Sequence, residues 1–277
     1  MTVVLGLLAA AFYGIGDFAG GIASRRHSAV TVLLYSYPVG AVLMSAMLPF
    51  FPGTLTTHVL LFGALGGLAG LIGVSVMYQL MVTAPMNVIS PVTAVLAAIV
   101  PVVFGVLVGE RPAVTAWLGI VLGIAAVVLV SRTTDDHPHG RIALRVIALA
   151  FLAGVGFGFY FICLARAGSN SGLWPLVISR LASAVLIVPL ATVRKAFARV
   201  QGRTLAIAVA AGTFDALANM CFLLSARSGL LSLASVLTSL YPAVTVILAV
   251  GILREHVSRT QQIGLALATA AVVLITV

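Results

Sequence analysis

Charge is what this sequence has least of. Of 277 residues only 8% are Asp, Glu, Lys or Arg, and 6 are acidic, whereas a soluble chain carries roughly 25% charged residues. So few charges cannot solvate a water-soluble globule of this size, and an ordinary soluble domain is excluded. The cysteines, Cys163 and Cys221, both lie inside apolar runs, which excludes a disulfide scaffold. Polar stretches of any length are confined to 131–145 and 194–203, so no soluble domain fits. Catalytic signatures are missing too: the chain has no HExxH, GxSxG, P-loop or aspartate-rich prenyl-diphosphate motif. A membrane enzyme also needs convergent polar side chains, and few are present. The expectation is a protein that is not an enzyme and has no cofactor.

What is abundant is hydrocarbon. The chain is 62% hydrophobic with a mean hydropathy of +1.23, so its solvent is lipid, and disorder is excluded. A helix needs about 20 mostly apolar residues to cross about 30 Å of hydrocarbon. Ten segments qualify: 2–23, 29–49, 58–82, 86–108, 112–131, 142–166, 172–193, 204–226, 229–252 and 257–277. Runs such as 113–130 are apolar on every face, unlike the alternating strands of a membrane barrel. The expected class is an all-α integral membrane protein with ten transmembrane helices. No positive region precedes the first span, which runs past Phe18, so it reads as retained rather than cleaved. The net charge of +9 sits in small groups between spans, where anionic headgroups attract it. No nucleic-acid partner is expected.

Shifting the chain by 145 residues superposes Ala125-Ala126-Val127-Val128-Leu129 on Ala270-Ala271-Val272-Val273-Leu274. In that register Glu110 meets Glu255, Thr115 meets Thr260, Gly119 meets Gly264, Ser90 meets Ser235 and Gly67 meets Gly212. Charged and glycine matches in one register indicate an internal repeat: 1–131, a connecting loop at 132–141, and 142–277. Each copy holds an odd number of helices, so the second enters the membrane from the opposite face. Inverted copies enclose a cavity with two possible openings, as alternating access requires.

Ionisable groups inside spans mark cavities or partners, because a charge at mid-bilayer costs at least about 2.5–3.5 kcal/mol. They are Asp17, Arg180 and Asp215. Asp215 is too central to reach the interface, and Asn219 follows one turn later on the same helix face. Arg180 could pair with an aspartate or reach towards headgroups, and Asp17 could meet Arg25 or Arg26. Tyr78 and Tyr241 lie too deep for an interfacial belt and could face a solute. These six residues, Asp17, Tyr78, Arg180, Asp215, Asn219 and Tyr241, form the candidate substrate site, in a cavity expected between spans 1, 3, 4, 6, 8 and 9. Pro91, Pro101 and Pro242 are candidate hinges or helix breaks, since each removes a backbone donor; Pro101 and Pro242 fall one turn apart after superposition. Asp135-Asp136-His137-Pro138-His139 is split by proline in a connector, and no metal is expected there.

Several motifs are those of a known family. Gly109-Glu110-Arg111-Pro112 closes the fourth span, and Leu237-Thr238-Ser239-Leu240-Tyr241-Pro242 is followed by Arg254-Glu255. With Tyr13-Gly14-Ile15-Gly16-Asp17-Phe18-Ala19-Gly20-Gly21 and Asp215-Ala216-Leu217-Ala218-Asn219, they resemble the EamA family of the drug/metabolite transporter superfamily over essentially the full length. The resemblance implies two five-helix repeats and export of amino acids, drugs or other small metabolites, without fixing the substrate. The second copy reads Leu253-Arg254-Glu255-His256 where the family has Gly-Glu-Arg, which favours a structural role for Glu110 and Glu255 near helix junctions.

The expected function is thus a secondary active exporter in the cytoplasmic (inner) membrane, whose partners are a small solute, the bilayer and, as an option, a coupling proton at Asp215. It would act as monomer or homodimer. A lipid- or isoprenoid-handling protein or enzyme, a non-catalytic scaffold and a channel are the rivals. Eleven Lys/Arg follow spans 1, 5, 7 and 9, and three follow spans 4, 6 and 8; the positive-inside rule then puts both termini outside, whereas family analogy puts both inside.

Overall fold

A computed structural model describes residues 1–83, 86–130, 144–253 and 258–276; within these, the side chains of Tyr78 and of residues 81–92, 130, 144, 147, 246, 249, 250, 252, 253 and 276 are not described. The described residues form helices and connections, with no strand. The helices are α1 (Thr2–Ser24), α2 (Ala29–Met47), α3 (Thr57–Thr83), α4 (Met86–Leu107), α5 (Val114–Val130), α6 (Leu144–Arg166), α7 (Trp174–Arg194), α8 (Gly202–Arg227), α9 (Leu231–Thr238), α10 (Tyr241–Leu253) and α11 (Arg259–Thr276). Among the described residues, six stretches are long and apolar enough to cross a membrane, and four shorter apolar ones accompany them. Together they fit the ten segments read from the sequence. Side chains such as Leu61, Leu118, Val121 and Val185 are exposed on the outside of the bundle, where lipid is the only solvent that suits them.

Local chemistry sets the helix limits. Ser28 caps α2, its hydroxyl accepting from the Thr31 amide at 3.2 Å. α7 begins with Pro175 in its first turn and ends at Lys195 in the left-handed region. The ninth segment is the exception to the expected spans, for it is two helices. The Ser239 amide donates back to Ser235 and that of Leu240 to Leu237, and Pro242, without an N–H, opens α10 instead of continuing α9. By contrast, α4 runs without interruption through Pro91 and Pro101. Of the three candidate breaks, only Pro242 coincides with one, and the expected pairing of interruptions between copies is not seen.

Two faces of the bundle are tied by polar contacts. On one, the Ser225 hydroxyl donates to the Thr2 carbonyl at 2.7 Å, and the Thr54 amide donates to Asn170 at 2.9 Å. Arg227 there donates to the carbonyls of Gly172 (2.7 Å) and Gly168 (3.1 Å) and to the Ser171 hydroxyl (2.6 Å). On the other face the Thr31 hydroxyl donates to Ala196 at 2.8 Å, beside exposed Arg25, Arg26, Arg194 and Lys195. α1 starts on the first face and α6 ends on it, so corresponding helices of the two copies run in opposite senses.

The copies also interlock. α1 packs mainly on α8, α3 on α6 and α7, and α5 on α11. Small residues permit these approaches. A Cβ on Gly67 would collide with the Ser179 carbonyl oxygen, and one on Gly212 with that of Ser36. The glycine-dense third span thus lies tight against α7, with Gly70 and Gly73 facing Tyr160 and Phe157 of α6.

Candidate functional site

Glycines of α1 and α2 set the site's geometry. Gly16 backs onto the α8 backbone at Asp215, and Gly14 onto Val244 and the Tyr241 carbonyl of α10. Gly40 of α2 leaves room for the Arg180 stem, which would lie 3.3 Å from an added Cβ. These approaches bring polar groups from α1, α7, α8 and α10 together inside the bundle.

Arg180 is 6% exposed and forms an ion pair with Asp215. Its guanidinium lies 5.6 Å from the centre of the Tyr37 ring, within cation–π range. One turn beyond Asp215, the Asn219 amide donates to the Asp215 carbonyl at 2.6 Å and to its carboxylate at 3.3 Å. The Asn219 oxygen in turn accepts from the Tyr13 hydroxyl at 2.6 Å. Guanidinium, carboxylate, carboxamide and phenol therefore form one chain across α7, α8 and α1. Such a network inside an apolar bundle is stable only when its members satisfy one another.

Beside it lies a partly open cavity whose space, the open solvent at its mouth included, is about 630 Å³. Its lining reaches from Ser179 and Arg180, near the start of α7, to Asp17 and Met77, towards the basic face. Tyr13, Tyr37, Tyr160, Phe157, Phe161 and Tyr241 supply aromatic walls, with Tyr13 lying 6.2 Å from Phe161 and 6.3 Å from Tyr241 between ring centres. The Nε of Arg180 and the Tyr160 hydroxyl, which lies near Ser179, are buried and complete no hydrogen bond.

The structure brings five of the six expected site residues to this cavity: Asp17, Arg180, Asp215, Asn219 and Tyr241. The Tyr78 side chain lies outside the described residues. Asp17 does not meet Arg25 or Arg26; it faces the cavity and makes no ion pair among the described residues. The expected lining of spans 1, 3, 4, 6, 8 and 9 was incomplete. α2 contributes Tyr37 and α7 contributes Ser179, Arg180 and Ser183, because Gly40 and Gly67 draw those helices inward. Tyr13, Tyr37 and Tyr160 were not singled out from sequence; their one signal is a hydroxyl in a span otherwise able to bury only apolar groups.

Glu110 stands apart from the cavity. Its carboxylate accepts from the amides of Leu231 (2.6 Å) and Ser232 (3.0 Å), capping α9 where the helix dipole favours an anion. Glu255 and the stretch 135–139 lie outside the described residues, as does the connector at 132–141. No cluster of three metal-binding side chains occurs among the described residues.

Comparison with known proteins agrees with this architecture. No curated protein matches the chain. A solved structure titled only "Crystal structure of protein" superposes with a TM-score of 0.81 at 18% identity, covering 99% of this chain and 96% of the other; at that identity the likeness is one of fold. The profile of the EamA-like transporter family matches twice, over residues 1–132 and 144–277. Both copies of a multi-pass helical membrane protein are thereby accounted for, and the chain belongs to the EamA-like transporter family.

Proposed function

We propose that this transporter is a secondary carrier that exports small metabolites, amino acids or drugs across the cytoplasmic membrane by alternating access. Its ten segments all cross the bilayer, as two inverted five-helix units joined at 132–141. The observation that carries the reading is the Arg180–Asp215–Asn219–Tyr13 chain at the edge of a cavity between the two units. Static packing alone does not require so many polar groups in hydrocarbon; a solute that must leave water does. As the units rock, the cavity would open alternately to the basic face and to the face tied by Arg227. The basic face is cytoplasmic in this reading, because it carries the Lys/Arg excess. No metal, cofactor or catalytic step enters the mechanism.

Where a proton is exchanged, Asp17 suits the task better than Asp215, whose charge Arg180 offsets. The charged and titratable groups that face Asp17 are Asp215 from α8, Tyr241 from α10, Tyr13 from its own helix and, beyond Asp215, Arg180 from α7. The test is flux in proteoliposomes loaded with a pH-sensitive dye and challenged with amino acids, polyamines, nucleosides and hydrophobic cations. A dye response to one solute class, lost in Asp17→Asn, supports coupled exchange. Solute uptake with a silent dye removes the proton but leaves the carrier. No uptake of any class by folded protein overturns the transporter reading.

A further inference from the structure

With both of its carboxyls ionised, the charges around the cavity do not cancel. Asp17 and Asp215 supply two carboxyl groups and Arg180 one guanidinium, and no other Asp, Glu, Lys, Arg or His lines the cavity among the described residues. Arg180 and Asp215 satisfy each other, so once the Asp17 carboxyl gives up its proton the excess negative charge belongs to it. Its carboxylate accepts no hydrogen bond and joins no ion pair among the described residues, although it sits inside a membrane-spanning helix. A lone carboxylate there is costly unless it takes a proton or a counter-charge reaches it.

We infer that Asp17 is the seat of the solute's cationic head, and that this transporter takes organic monocations with an apolar or aromatic body. The inference rests on the carrier reading above and narrows it to a charge class. Three observations converge on it. A cation brings the cavity to neutrality, whereas a zwitterion leaves the excess charge in place and an anion doubles it. Tyr13, one turn before Asp17 on α1, and Tyr241 line the cavity together with Asp17, and aromatic faces attract desolvated cations. Towards the deep end, Phe157, Phe161 and the ring of Tyr160 offer an apolar bed for the body. There the unpartnered Arg180 Nε and Tyr160 hydroxyl are donors that a polar acceptor on that body would satisfy, adding selectivity among amines.

The test uses one aromatic body in three charge states: 2-phenylethylamine, phenylalanine and 3-phenylpropanoate. Equilibrium binding of each is measured by calorimetry on the full chain in detergent. The expected order places the amine at least about tenfold tighter than phenylalanine, with 3-phenylpropanoate weakest. Asp17→Asn should reduce amine affinity by about tenfold or more and abolish the order, while Asp17→Glu, which keeps the charge, should preserve it. Size-exclusion profiles of the variants identify any that fail to fold, and Asp17→Glu then carries the comparison through its retained preference for the amine. Equal or tighter binding of phenylalanine or 3-phenylpropanoate overturns the inference, as does absence of amine binding by wild type. Uptake of a zwitterion or anion in the liposome assay would overturn it while leaving the carrier standing.

Discussion

At the scale of single residues, the ion pair decides most. Arg180 has 7% of its side chain exposed and Asp215 has 32%, so water screens one partner and hardly reaches the other. Removing Asp215 alone strands a buried guanidinium. A fully buried pair broken in this way loses about 3–5 kcal/mol; partial exposure of Asp215 brings the expected coupling down to about 0.5–3 kcal/mol. Thermal unfolding in detergent should therefore rank Asp215→Asn below the double variant Arg180→Gln/Asp215→Asn, in which no guanidinium is stranded. If the two variants melt together, a stranded Arg180 guanidinium costs nothing. The actors were visible in the sequence, since Asp17, Arg180, Asp215 and Asn219 interrupt apolar runs. Their partners were not. Tyr13, Tyr37 and Tyr160 sit on helices with apolar residues all round, where no periodic pattern tells an inward face from a lipid-facing one.

At the scale of helices, close approach and capping govern what can be changed. Gly67 and Gly212 are related by the internal repeat, and each presses on the backbone of a helix from the other copy. Because a carbonyl oxygen cannot rotate away as a side chain can, Gly67→Ala and Gly212→Ala should each cost about 1–3 kcal/mol, read as a lower melting temperature in detergent. Ordinary stability in either variant would mean that the helices separate without penalty. Glu110→Ala removes both acceptors from the α9 amino end and should cost about 0.5–2 kcal/mol. It lies away from the cavity, so solute affinity should stay unchanged, and a loss of affinity would move Glu110 into the binding machinery. Helix breaks were only partly legible. Pro242 and Pro101 look alike in sequence, yet one starts a helix, where its missing donor is not needed, and the other is absorbed within a continuous one.

For the whole molecule, the testable property is which way it faces. Phe50 and Arg26 are exposed on opposite faces. With the basic face inside, a cysteine at Phe50 should react with a membrane-impermeant maleimide in intact cells, and one at Arg26 only after permeabilisation; buried Cys163 and Cys221 should give little background. The reverse pattern would place both termini in the cytoplasm. The repeat was legible because charged and glycine residues recur in one register. How the copies interlock was not, because contacts between α1 and α8 or α3 and α7 leave no trace in apolar composition.

The Glu110 carboxylate belongs to the first copy and the amides it holds to the second. Gly16, Gly63 and Gly67 likewise find their neighbours across the connector rather than within their own copy. Neither half should therefore fold by itself, although each matches the family profile. A chain severed between residues 132 and 141 should yield fragments that are degraded when made singly and that reassemble when made together. In the intact chain, the translating ribosome delivers Glu110 to the membrane before Leu231 exists. The first half must then wait, its glycine grooves lined only by lipid, until the second arrives to fill them.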